Sequence, residues 1–185
     1  MRIDTTTEGR LLLAIARAVG AALLLQGCVM RSTYDSMLQQ QQALEAALGT
    51  EIDADQVEIE QLRDGIRVEM ASALLYREGA VELAPSGTRA LDKVAPELAS
   101  QTYQIDVVGN TDDLPIEEPF RERYPSNWEL AGERAAIVVR HLQSRGVDPG
   151  RMRAISAGQY HPVAPNDSPA DRARNRRTEI LLRPR

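Results

Sequence analysis

The sequence has little of what most catalytic or metal-binding proteins depend on. It holds one cysteine, Cys28, and two histidines, His141 and His161. A single thiol excludes an internal disulfide, and no Cys/His cluster is available for zinc. Aromatic residues make up 4% of the chain, so any core must be built from Leu, Val, Ile and Ala. Basic charge is not in excess: 22 Lys and Arg face 27 Asp and Glu, giving a net charge of −5. That balance excludes a general nucleic-acid binder, which neutralises phosphates with surplus Lys and Arg. No apolar run reaches the roughly 20 residues that span a bilayer as a helix. What is present is an ordinary globular apolar content of 43%, enough for one compact domain plus an extension.

The first thirty residues have a character of their own. Arg2, Arg10 and Arg17 sit among Leu and Ala, with short apolar runs at 11–15 and 19–25. A basic start, a short apolar stretch and then small residues read as a secretory signal. The run ends in Leu25-Gln26-Gly27-Cys28, which resembles a bacterial lipobox. That resemblance implies cleavage before Cys28 and lipidation of its thiol. Val29 at the next position implies sorting to the outer membrane. Acyl chains contribute about 0.8 kcal/mol per buried CH₂, so several of them, palmitate included, would anchor the chain without spanning the membrane. The alternative is a lone buried cysteine at the end of an ordinary helix.

Residues 32–67 lack proline and are rich in helix formers. Tyr34, Met37, Gln41, Leu44 and Leu48, then Ile52, Asp55, Ile59, Leu62 and Ile66, recur at spacings of three and four. This heptad-like seam predicts a helical stalk, with a stutter at Gly49. Two readings stay open: a short coiled coil that makes a homodimer, or a single helix packed on its own domain. The expected organisation is a signal peptide over 1–27, a lipidated N-terminus and helical stalk over 28–64, and a folded domain over 65–185.

Within 65–185 the pattern predicts strands at 66–70, 103–108, 151–157 and 178–182 and helices at 87–100, 127–143 and 167–174. Ser86 is the expected N-cap of the first of these helices, and Pro96 is expected to kink or shorten it. A stiff Pro-rich loop fills 109–126. The order β-α-β-α-β-(α)-β defines an α/β sandwich, a small sheet under two main helices.

Three separated segments carry the strongest signal. They are Val108-Gly109-Asn110-Thr111-Asp112-Asp113, Asn127-Trp128-Glu129-Leu130-Ala131-Gly132-Glu133-Arg134-Ala135, and Asn175-Arg176-Arg177-Thr178-Glu179-Ile180. Together they resemble the OmpA-like (OmpA/MotB C-terminal) family over residues 65–183. Gly158-Gln159-Tyr160 also falls where that family has a Gly-containing motif. The stretch Arg123-Tyr124-Pro125-Ser126-Asn127-Trp128-Glu129-Leu130 is most similar to the family's flagellar-stator branch. Asn110 stands where the family usually has histidine.

The resemblance implies non-covalent binding of peptidoglycan through the diaminopimelate of its stem peptide. That ligand is a zwitterion and needs an anion and a cation close together. By resemblance Asp112 would take its ammonium and Arg134 its carboxylate, a task suited to the planar guanidinium fork. Asn127 near a helix N-terminus, Arg176 beside the last strand, and Thr111 and Tyr160 at the rim complete the expected site. The bland alternative is that Asp112 and Arg134 form a surface ion pair and Arg176 is a solvated strand-end charge. Trp128 is expected in packing, the two histidines at the surface, and Asp113, Glu117 and Glu118 on a solvated face.

The leading expectation is therefore a binding module tethering the outer membrane to the cell wall, with no cofactor, no metal and no catalytic residues. An alternative is a structural subunit of a multiprotein envelope machine. A peptidoglycan hydrolase is the weakest reading, since no nucleophile, metal cluster or Ser-His-Asp pattern is found.

Overall fold

The computed structural model describes residues 34–77 and 80–184. The chain divides into two compact units, Met1–Gln39 and Gln40–Arg185. Of the first unit only 34–39 are described, and they are helical. Cys28 and the signal-like segment lie outside the described residues. Among the described residues no helix is long and apolar enough to cross a membrane, and no group of His, Cys, Asp or Glu is arranged to hold a metal ion.

Helix α1 occupies 34–53, and its 40–53 portion opens the second unit. There Leu44 and Leu48 are fully buried and Lys93 of the helix layer reaches Glu51 at 2.8 Å. The helix then stops. The expected seam running on to 67 is instead a β-hairpin, β1 (Val57–Leu62) and β2 (Gly65–Ala71), paired Val57 to Met70 and Leu62 to Gly65. Asp55 breaks the helix by adopting a left-handed φ of 55°. Beyond it the β-branched Val57 and Ile59 favour extended chain, and Arg63-Asp64 makes the two-residue turn. The folded domain thus includes the 57–64 stretch expected in the stalk.

The remaining elements are α2 (Ser72–Leu75), α3 (Pro85–Ser100), β3 (Gln104–Asn110), α4 (Phe120–Arg123), α5 (Asn127–Ser144), β4 (Met152–Gly158), α6 (Pro169–Asn175) and β5 (Arg177–Arg183). The five strands order as β1-β2-β5-β3-β4, with β3 and β4 parallel and the other pairs antiparallel. Helix α5 is the crossover between the parallel pair. The core lies between sheet and helices. Ile66, Val68, Met70, Ile105, Val107, Ile180 and Leu182 meet Leu91, Val94, Leu98, Val138 and Leu142, all buried. This is the α/β sandwich anticipated from the sequence, with one further strand at the edge.

Three local expectations differ. Helix α3 begins at Pro85 rather than Gly87, because proline fits the first helical position, where no N–H is needed. Ser86 caps nothing; its hydroxyl donates to the Leu74 carbonyl at 2.8 Å. Pro96 does not end α3, which runs on to Ser100. The stiff loop also holds the single turn α4, unforeseen among the prolines.

One close approach sets the spacing between sheet and helix. A Cβ on Gly109 would stand 2.1 Å from the Ala131 carbonyl oxygen, so only glycine lets the end of β3 lie against α5.

Candidate ligand-binding cavity

Strand β3 ends at Asn110, β4 ends at Gly158, and β5 begins at Arg177 on the antiparallel course. The three ends therefore meet at one edge of the sheet, where the N-terminus of α5 also arrives. That N-terminus is fixed by a capping box: Ser126 Oγ accepts from Trp128 N at 3.2 Å, and Glu129 accepts from Ser126 N at 2.8 Å. Between these ends and the Pro-rich loop lies a cavity of about 360 Å³.

Five of the six expected ligand-binding residues line it: Thr111, Asp112, Asn127, Arg134 and Arg176. Asp112, in the turn after β3, is 7% exposed. Its Oδ2 accepts from Arg176 Nη1 at 2.6 Å and its Oδ1 from Leu114 N at 3.3 Å. Arg176 thus pairs with Asp112, an arrangement the sequence left open, and holds the carboxylate in place. Asn127 is also buried. Its amide Nδ2 donates to the carbonyls of Asp112 at 3.3 Å and Leu114 at 3.1 Å and to Gln159 Oε1 at 2.7 Å. One side chain therefore ties the turn after β3 to the segment after β4.

Arg134, at the end of the second turn of α5, is held from behind. Its Nη2 donates to the Ala80 carbonyl at 3.1 Å, and its guanidinium lies 5.0 Å from the centre of the Tyr76 ring. Burial pushes Arg134 below the usual arginine range, Tyr76 and Asp112 oppose that, and Arg176 adds to it. Burial also pushes the Tyr76 phenol up to about 12, against its hydrogen bond with Thr178 Oγ1, so the ring is neutral at physiological pH. Two buried polar atoms on the cavity wall, Arg134 Nε and Thr111 Oγ1, have no hydrogen-bond partner in the protein. Buried polar groups are almost always paired, so these two residues leave hydrogen-bonding capacity unused beside the cavity.

The rest of the wall comes from the Pro-rich loop. Leu114, Pro115, Ile116, Pro119 and Phe120 supply apolar surface, and Glu117 and Glu118 supply further negative charge. Those two glutamates are exposed, as expected, and also border the cavity. Such a cavity suits a small zwitterion with an aliphatic body, held by charge at both ends.

The other expectations fare differently. Tyr160 is not among the residues lining the cavity; it stacks on Trp128, which packs at the edge of α5 and is 45% exposed. Asn110 points elsewhere, donating to the Val108 carbonyl and Glu179 Oε1 at 3.4 Å each. The departure from the family's histidine therefore does not fall on the cavity wall. His141 is engaged with Asp92 at 2.7 Å. Sequence reasoning missed Tyr76 and the Ala80 carbonyl, neither of which carries a local signal, and gave Gln159 no role although it stands in the Gly158-Gln159-Tyr160 motif. It also missed the role of Asn175, fully buried, which takes Val163 N and Ala164 N at 2.8 and 3.0 Å and so fixes the loop after β4.

Fold and cavity together define an α/β domain with a charged cavity where its strand ends converge. A model of the OmpA family matches residues 75–176, and the chain belongs to that family. It is 32% identical over 128 residues to Motility protein B of Helicobacter pylori (strain J99), covering 67% of this chain and 48% of that one. The chain thus spans about half the length of the curated relatives it matches first. Among solved structures, a putative MotB-like protein from Desulfovibrio vulgaris superposes with a TM-score of 0.76 at 28% identity, covering 85% of this chain and 99% of that one. The cell wall anchor of the T6SS from Pseudomonas aeruginosa gives 0.70 at 32% identity, covering 77% and 97%.

Proposed function

We propose that this domain binds peptidoglycan without cutting it, by seating the diaminopimelate of a stem peptide in the cavity beside Asp112 and Arg134. The observation that carries this reading is the meeting of opposite charges on one cavity wall: the anchored Asp112 carboxylate and the Arg134 guanidinium both line it, and Arg134 Nε and Thr111 Oγ1 have no partner in the protein. The ligand's carboxylate would take the Arg134 guanidinium, joined by Thr111. Its ammonium would face Asp112, with Glu117 and Glu118 near. Arg176 and Asn127 would hold the carboxylate and loop in position. The apolar wall suits the ligand's methylene chain. Likeness to a protein described as a cell wall anchor supports the same reading. That relative belongs to a secretion system, so service as the wall-binding subunit of a larger envelope assembly is a second use of the same site.

Titration of the full chain with a soluble stem tripeptide ending in diaminopimelate tests the site. Arg134→Lys keeps the charge but loses the fork, so affinity should fall about tenfold or more, the loss of one charge-assisted hydrogen bond. Equal affinity would remove Arg134 from the site.

The lipobox-like Leu25-Gln26-Gly27-Cys28 extends the proposal to a tether. Lipidated at Cys28 and held in the outer membrane, the chain would present its domain to the wall from the periplasm. Cys28→Ser should abolish incorporation of labelled palmitate and release the protein from membranes. Continued labelling would refute the anchor.

A further inference from the structure

Two large aromatic side chains lie exposed beside the cavity without belonging to it. Trp128 is 45% exposed and Tyr160 61%, and their rings stack with centres 5.1 Å apart at 26°. They come from different elements, the first turn of α5 and the segment after β4, so the pair is built by the fold. Trp128 is braced on two sides. The Trp128 carbonyl accepts from Ser156 Oγ at 2.8 Å. Gly158, at a φ of 55°, lies against the indole, and a Cβ there would stand 3.3 Å from its Cδ2. The chain neighbours of the two rings are Asn127 and Gln159, joined at 2.7 Å, and Asn127 lines the cavity. The platform therefore adjoins a residue of the cavity wall.

A rigid, uncharged aromatic face is matched by the C–H-rich face of a pyranose. The negative π-face of the ring meets polarised C–H groups, and no charge needs to be buried. Resting on the wall-binding reading, we propose that the Trp128–Tyr160 pair is a second subsite. It takes the amino-sugar ring of the glycan strand from which the bound stem hangs. The chemistry of the polymer sets the reach required. A diaminopimelate at the third stem position is separated from its sugar by two residues and a short ether linker. At about 3.4 Å per unit that is a reach of roughly 10 Å from the bound diaminopimelate. The cavity would then read the peptide, and the platform would favour peptide still attached to glycan.

Trp128 is the sole tryptophan, so its emission reports on the platform directly. The test titrates the full chain with a disaccharide-tripeptide and, separately, with the same tripeptide lacking sugar. The disaccharide form should bind about 3- to 10-fold more tightly, the range one aromatic stacking contact commands, and should alter Trp128 emission. In Tyr160→Ala the preference should vanish while affinity for the free tripeptide stays; Tyr160→Phe should keep it. Equal binding of both ligands by the wild type overturns the proposal before any variant is made. So does a preference that survives Tyr160→Ala. Arg134→Lys should weaken both ligands alike, separating the two subsites. Sugar-dependent binding without any tripeptide binding would retire the cavity reading and keep the platform; binding of neither ligand overturns both.

Discussion

At the scale of single residues, the cavity is organised by side chains whose hydrogen bonds leave one valence open. Arg134 gives Nη2 to the Ala80 carbonyl and its π-facing side to Tyr76, yet keeps Nε free. Asp112 gives one oxygen to Arg176 and the other to its own turn. Preorganisation of this kind lowers the entropy lost when a ligand is ordered. Asn127 does the converse, directing its Nδ2 donors to partners within the protein. Asn127→Ala should therefore act through structure: it leaves three acceptors short of a donor, one of them the carbonyl of Asp112 itself. The expected cost is about 1–3 kcal/mol, read as a lowered thermal midpoint together with weaker stem-peptide binding. An unchanged midpoint with lost binding would instead make Asn127 a direct ligand contact.

At the scale of elements, what was legible in the sequence was what local pattern determines. Strands β2, β3, β4 and β5 and helices α5 and α6 fall within a few residues of their expected places, because alternation and helical spacing are written in adjacent residues. Ser168 caps α6, its side chain accepting from Asp171 N. Strand β1 was not legible, because Ile52, Asp55, Ile59, Leu62 and Ile66 keep a helical spacing across a segment whose partner, β2, is fixed by tertiary pairing. Turn α4 was hidden by the prolines around it. The charged members of the cavity were legible through three motifs at strand and helix edges. Their supports were not. Tyr76 meets Arg134 across 58 residues, and Gln159 meets Asn127 across 32, distances at which no sequence periodicity speaks.

At the scale of the molecule, topology makes the site. The order β1-β2-β5-β3-β4 sets the last strand between the second and third. Arg176, just before β5, thereby reaches Asp112, just after β3, although 64 residues separate them. The crossover through α5 then delivers Asn127 and Arg134 to the same edge. Asp112 and Arg176 sit at element boundaries, and Arg134 projects from the second turn of α5, so the sheet and the rest of the helices can remain an apolar core while this edge carries the charge. Wall binding through this edge is tested most directly by co-sedimentation of the full chain with purified peptidoglycan sacculi, comparing wild type with the near-isosteric Asp112→Asn. The wild type should pellet with the sacculi, and the variant, still folded, should be retained about tenfold less. Wild-type protein left in the supernatant, or a variant that pellets equally well, would contradict wall binding through Asp112.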